Sequence, residues 1–377
     1  MSRVCTLLLI FVAPLSLAAD DADDAQKAKD ERVVQTVLRL PGFDLNSKPE
    51  TKAAVLRHLN RIEGEEKYFE LVDKLKLAGD VAPGLLKQAL ANAESNVGVN
   101  CLALLLKAEK IDGLQAVLAG KVAKADDATL AALTALGLTG QASAMPLVAP
   151  LIADAERSVA VRATAVRALG KIPGGEQRLL EIVERGELSN DLKFAAANVL
   201  LNSASEAVKE AAGKHLSLPA TADSKPLPTI AELVKLSGSA EAGQKLFFTE
   251  KTQCAKCHTV NGQGKDVGPN LSEIGSKLSK EALYLSILDP SAGVSFNFET
   301  SQVITTEGQI VQGIIVSDTA EAVTLKTADA ITRSIPKDEV DEVVKLKVSL
   351  MPAELQRLLT AQDLVDMVEY LTTLKKK

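Results

Sequence analysis

The chain has 377 residues, a formal net charge of −6, 3 % aromatic residues and no tryptophan. That length leaves room for two or three domains. The acidic balance, with no basic stripe able to neutralise a run of phosphates, argues against a nucleic-acid binder. Alanine and leucine supply much of the apolar share, which suits packed helices better than broad sheets. Residues 1–19 read as an export leader: Arg3 gives a positive start, Cys5 to Pro14 a mostly apolar run, and Ser16-Leu17-Ala18 the small residues that a signal peptidase reads. Cleavage is expected after Ala18 or Ala19. No later apolar run approaches the roughly 20 residues of a spanning helix, so no transmembrane segment is expected after cleavage. The expected location is the periplasm or otherwise outside the cytoplasm.

Residues 20–46 open on the acidic patch Asp20 to Asp24, expected to be disordered or frayed. Ser47-Lys48-Pro49-Glu50 reads as a helix start capped by Ser47. From 47 to 217 the pattern is helical and repeats. Ala131-Ala132-Leu133-Thr134-Ala135-Leu136-Gly137 returns as Thr164-Ala165-Val166-Arg167-Ala168-Leu169-Gly170, then in degraded form as Ala195 to Leu200, with Leu102 to Lys107 an earlier copy. A period of about 32 residues with two helices per unit predicts an α-solenoid, because a helix pair cannot bury its apolar face alone. An irregular helical bundle is the alternative. The wording of Val161 to Gly170 resembles HEAT repeats, in units somewhat short for that family. Asp191 is expected to cap the helix of the last copy. Cys101 reads as a small buried hydrophobe, His58 and His215 as surface or boundary side chains, and Met145 as part of a repeat and no ligand. Leu218 to Pro228 holds three prolines and no periodicity, so 218–229 reads as a linker or an extended strap.

The most specific signal is Cys254-Ala255-Lys256-Cys257-His258. Two cysteines three positions apart followed at once by histidine form the attachment signature of a c-type haem. Two thiols one turn apart can each form a thioether, and the adjacent imidazole can take the iron. Half of a zinc site or a thioredoxin-like pair is the alternative. Zinc needs two more ligands, and beyond the leader the other cysteine is Cys101, far upstream. A thioredoxin-like pair needs a βαβ context that is missing.

Around this motif, residues 230–377 resemble the class I cytochrome c family. Gly243 and Phe247 match its N-terminal helix, and Ala361 to Leu374 its closing helix, with Tyr370-Leu371 as the aromatic-leucine pair. Gly268-Pro269-Asn270-Leu271 matches the loop after the haem motif, with Pro269 beside the proximal histidine. The resemblance implies one covalent haem c on Cys254 and Cys257, His258 as one axial ligand and a methionine as the other. Met351, in the loop Ser349-Leu350-Met351-Pro352, resembles the family's ligand methionine. Met367 falls beside Leu364 and Leu371 on the closing helix, where core packing explains it.

The interval from His258 to Met351 is longer than in a small cytochrome. Gln302 to Thr306, Gln309 to Val316, Ala322 to Thr327 and Ile331 to Ile335 read as strands, a small antiparallel insert at about 300–336 placed after a middle helix at Lys280 to Leu288. With Ser286 to Ser291 before it and the methionine-proline pair after it, this layout resembles a haem-binding domain common in planctomycetes and their relatives. The whole is therefore expected to be multidomain and mainly α, a HEAT-like α-solenoid followed by a class I cytochrome c fold. The expected function is an exported mono-haem electron carrier whose array holds a protein redox partner such as a periplasmic dehydrogenase. A structural or sensory haem module and a haem enzyme such as a peroxidase are the other two classes.

Overall fold

A computed structural model describes residues 17–40, 42–123, 125–294, 297–346 and 348–376. The expected leader lies, apart from its last residues, outside them. The described chain is mainly helical, with a small antiparallel β region.

The acidic N-terminal segment is not frayed. Leu17–Leu38 is one helix. Asp23 pairs with Lys27 one turn on at 2.9 Å, the spacing at which opposite charges support a helix. Asp30, fully buried, receives Arg57 at 2.7 Å and Arg61 at 2.8 Å from the next helix, Pro49–Arg61. The neighbouring Arg57 holds the Asp30 carboxyl well below its usual 3.8, at about 2. The composition of residues 20–46 hides this clamp.

Ser47 does not cap the following helix. Its hydroxyl donates to Asp44 O at 2.7 Å within a 3-10 turn, Leu45–Ser47, and the helix begins at Pro49 behind Lys48 without a side-chain cap. Proline serves there because its fixed φ suits a first turn. His58, expected at the surface or boundary, is 9 % exposed. It shares the inward face with Ala54, Val55 and Leu59, and burial pushes its pKa down. His215 is exposed and Cys101 buried.

Helices then follow in close succession to Glu206–Gly213 around one apolar core. The repeated stretches fall on the helices Ala125–Leu138, Val159–Lys171 and Lys193–Leu200, which pack one on the next. Their glycines explain how closely. A Cβ on Gly137 would stand 2.8 Å from Ala168 Cα, and one on Gly170 would stand 2.3 Å from Val199 Cγ1. Asp191 caps nothing: it lies in a 3-10 turn ahead of the helix Lys193–Leu200 and takes the guanidinium of the largely buried Arg162 at 3.1 Å. The short array Ser189-Asp191 serves Arg162 first, since a buried guanidinium left unpaired would cost more than a missing cap.

Residues 218–229 form a strap held at both ends. Leu227 N–H donates to Pro219 O at 3.0 Å, Thr221 N–H to Lys225 O at 2.9 Å, and Ala222 N–H to Leu359 O at 2.9 Å. Leu227 itself is buried in the C-terminal core. Beside it, Asn198 of the helical array accepts a hydrogen bond from Ile230 N–H at 3.0 Å.

In the C-terminal region the helix Ala240–Phe247 crosses the closing helix Ala361–Thr373. Gly243 marks the crossing: a Cβ there would lie 1.9 Å from Asp366 O. One turn on, Phe247 meets Tyr370 edge-on at 5.9 Å, a geometry aromatic rings favour. The helix Lys280–Leu288 buries Leu283 and Tyr284 against the same core and pairs Lys280 with Glu369 at 2.6 Å.

A small hairpin, β1 (Thr259–Val260) and β2 (Gln263–Gly264), follows the cysteine motif. The insert is a five-stranded antiparallel sheet: β3 (Thr300–Thr305), β4 (Ile310–Asp318), β5 (Ala322–Lys326), β6 (Thr332–Pro336) and β7 (Val340–Lys345), in the order β6-β5-β4-β3-β7. Four of these strands match the expectation. The fifth extends the insert past 336 and pairs with β3. Its Asp341 and Glu342 disguise it as a charged loop, whereas charge of this kind is what protects an edge strand. Val303, Val323, Leu325 and Ile335 form the insert's own core. Among the described residues no helix is long and apolar enough to cross a membrane.

Candidate cofactor site

The cysteine motif folds as a single 3-10 turn, Cys254–Lys256, entered through Gln253 with a left-handed φ of 57°. His258 N–H donates to Cys254 O at 2.9 Å, which brings the imidazole one turn from the first thiol. Both cysteines are free, and burial raises both thiol pKa values. Among the described residues no three His, Cys, Asp or Glu side chains gather to hold a metal ion.

The loop after the hairpin folds back against the histidine. Gly268 N–H donates to Cys257 O at 2.7 Å and Leu271 N–H to Thr259 O at 2.9 Å. Gly264 has φ +99° and would drive a Cβ to 2.2 Å from His258 O, while a Cβ on Gly268 would stand 2.6 Å from His258 Cε1. Both positions therefore require glycine. With the loop this close, Pro269 O lies 2.9 Å from His258 Nδ1. A carbonyl can only accept, so Nδ1 carries the hydrogen and Nε2 keeps the lone pair, the usual state of a metal-ligating imidazole. Burial lowers the His258 pKa, opposed by that hydrogen bond.

His258 opens on a cavity of about 50 Å³. Cys254 and Thr252 line it beside the histidine, Phe247, Met367 and Leu371 come from the two crossing helices, and Leu271 and Ile287 lie between. Met351, Leu355, Leu358 and Leu359 close it from the loop before the last helix. The sequence-derived positions Cys254, His258 and Met351 thus meet at one cavity. Cys257 sits one turn on, outside the lining, and Pro269 acts through its carbonyl.

Met367 also lines the cavity, although its place on the closing helix, 2 % exposed among Leu364 and Val368, is that of a core residue. Met351 is half-buried on a loop. Sequence reading missed Thr252, Ile287, Leu355, Leu358 and Leu359 as lining. The spacing of Leu355, Leu358 and Leu359 directly after the methionine-proline pair was the available signal.

Residues 240–306 match the cytochrome c family. A class I cytochrome c domain is present there. The match spans the motif, the loop through Pro269 and the middle helix. No curated protein matches the chain. Cytochrome c domains are typically electron carriers rather than enzymes, and the presence of one supports a general role in haem-mediated electron transfer. The domain implies haem c as cofactor. The residues fit such a group: the cavity wall is apolar apart from Thr252, His258 and the sulfur side chains, and the imidazole is fixed by a backbone carbonyl in the tautomer that leaves Nε2 open.

Proposed function

We propose that the protein is an exported mono-haem electron carrier of the kind found in planctomycetes and their relatives, in which Cys254 and Cys257 would hold haem c through thioethers and His258 and Met351 would ligate its iron. One observation carries this reading: an imidazole with its tautomer fixed, a thiol and a loop methionine face one apolar cavity. The bound haem supplies a one-electron couple. The chain's residues supply the rest. Pro269 O orients His258, Leu355, Leu358 and Leu359 line the cavity beside Met351, and the Met351 thioether, as an iron ligand, would favour the reduced state.

The helical array, in this reading, is a HEAT-like scaffold whose stacked units present an extended surface to a protein redox partner such as a periplasmic dehydrogenase. The close contacts at Gly137 and Gly170, which recur from one repeated helix to the next, support it.

The test is the paired substitution Cys254→Ala with Cys257→Ala, made in the full chain and expressed with a leader and the haem-attachment machinery. All covalent haem should be lost, measured as absorbance left on the protein after acid-acetone extraction. Haem retained through extraction would sink the assignment.

A further inference from the structure

The loop that carries Met351 has little regular structure to hold it. It lies between β7 and the 3-10 turn Leu355–Leu358. Pro352 has no N–H to offer, and Glu354 takes a left-handed φ of 65°. Its seat comes from two serines instead. Met351 N–H donates to Ser349 Oγ at 3.1 Å, and Ser349 N–H donates to Ser291 Oγ at 3.1 Å.

Ser291 belongs to the 3-10 turn Pro290–Ala292, directly after Asp289, whose N–H bonds Leu285 O at 2.8 Å and ends the middle helix. This turn packs on the array helix Val159–Lys171. Arg167 of that helix donates from Nη2 to Thr164 Oγ1 at 2.7 Å, and the Asp289 carboxylate is near enough to favour its charged form. Packing of the turn on the array helix and two serine hydrogen bonds therefore link that helix to the backbone of Met351.

We propose that Arg167, Ser291 and Ser349 are positioning residues for Met351, so that the array governs how firmly the sixth ligand is held. The proposal rests on the reading of Met351 as that ligand. Asp289 and Pro290 fix the turn against the array, the turn fixes Ser349, and Ser349 fixes the start of the methionine backbone. Loosening any member frees the loop and weakens the hold of the thioether, while the cavity wall stays as it is.

The experiment titrates imidazole, a competing axial ligand, into the full-length ferric holoprotein and reads its apparent dissociation constant from the absorption spectrum. Ser291→Ala and Ser349→Ala should each tighten imidazole binding about fivefold, the equivalent of about 1 kcal/mol for one lost hydrogen bond. Arg167→Gln and Asp289→Asn should act in the same direction. In a Met351→Ala background, where imidazole should bind much more tightly, the same four changes should have no further effect.

Wild-type affinity in both serine variants, with Met351→Ala binding tightly, would overturn the proposal and leave the ligand reading intact. An unchanged affinity in Met351→Ala would overturn the ligand reading and the proposal with it. Equal effects with and without Met351 would show general loosening of the cavity and overturn it too. If neither Arg167→Gln nor Asp289→Asn folded, the array contact would be structural and control by the array would fall.

Discussion

In the N-terminal helical region, Gly137 and Gly170 press one helix against another; in the cytochrome c region, Gly243 presses the first helix against the last. The same residue type serves two ends. The array uses closeness to fill its interior, and alanines and leucines complete one continuous core. The cytochrome region uses closeness at one crossing, while its larger side chains, Phe247 and Tyr370 among them, gather on either side. Beside that crossing a cavity of about 50 Å³ remains. In one region close contact fills an interior; in the other it joins two helices beside the cavity that His258 lines.

The sharpest way to break this contrast is Gly243→Ala. The added methyl would fall 1.9 Å from a backbone oxygen, which no rotamer can relieve. A destabilisation of about 3 kcal/mol is expected from overpacking, together with reduced haem content, measured by denaturant unfolding and by absorbance. Gly137→Ala should cost less, about 2 kcal/mol, because its methyl meets Ala168 Cα at 2.8 Å and two helices can part slightly. Its haem spectrum should be unchanged. Equal losses of haem in both variants would erase the distinction between the two regions.

The array's N-terminal clamp gives a response in pH. Because Asp30 is held from 3.8 down to about 2, its contribution is fully present above pH 3.8 and is lost as the pH falls through about 2. Asp30→Asn should flatten the acid limb of the unfolding midpoint between about pH 4 and 2, and an unaltered limb would place the acid sensitivity elsewhere. The smallest effect is expected at Gly213, where an added methyl meets nothing within 4 Å and φ is not left-handed. Gly213→Ala should stabilise by about 0.5 kcal/mol, by removing freedom from the unfolded chain.

Much of this was legible in the sequence. The helix Lys280–Leu288 and the crossing at Gly243 follow from the resemblance to class I cytochrome c, and four of five insert strands from strand patterning and turn residues. What escaped depends on partners distant in sequence. Asp30 reads as one acid among many until Arg57 and Arg61 meet it. Asp191 resembles a cap until Arg162 claims it. β7 looks like a charged loop until β3 supplies its ladder. At the candidate site, Cys254 and His258 could be picked out by spacing and type and Met351 by the resemblance of its loop, but Leu358 and Ile287 could not, since an apolar side chain says nothing of which cavity it faces.

The strap has a mechanical consequence. A free tether of a dozen residues would let the haem domain wander, and the benefit to a partner bound on the array would decline with the volume explored. Here Ala222 is bonded to Leu359, Leu227 is seated in the C-terminal core and Asn198 holds Ile230. The joint therefore acts as a ruler and not as a leash. A donor seated on the array, in the role proposed for it, would meet the cavity at one set distance and orientation, and the length of the donor itself would decide whether electrons pass.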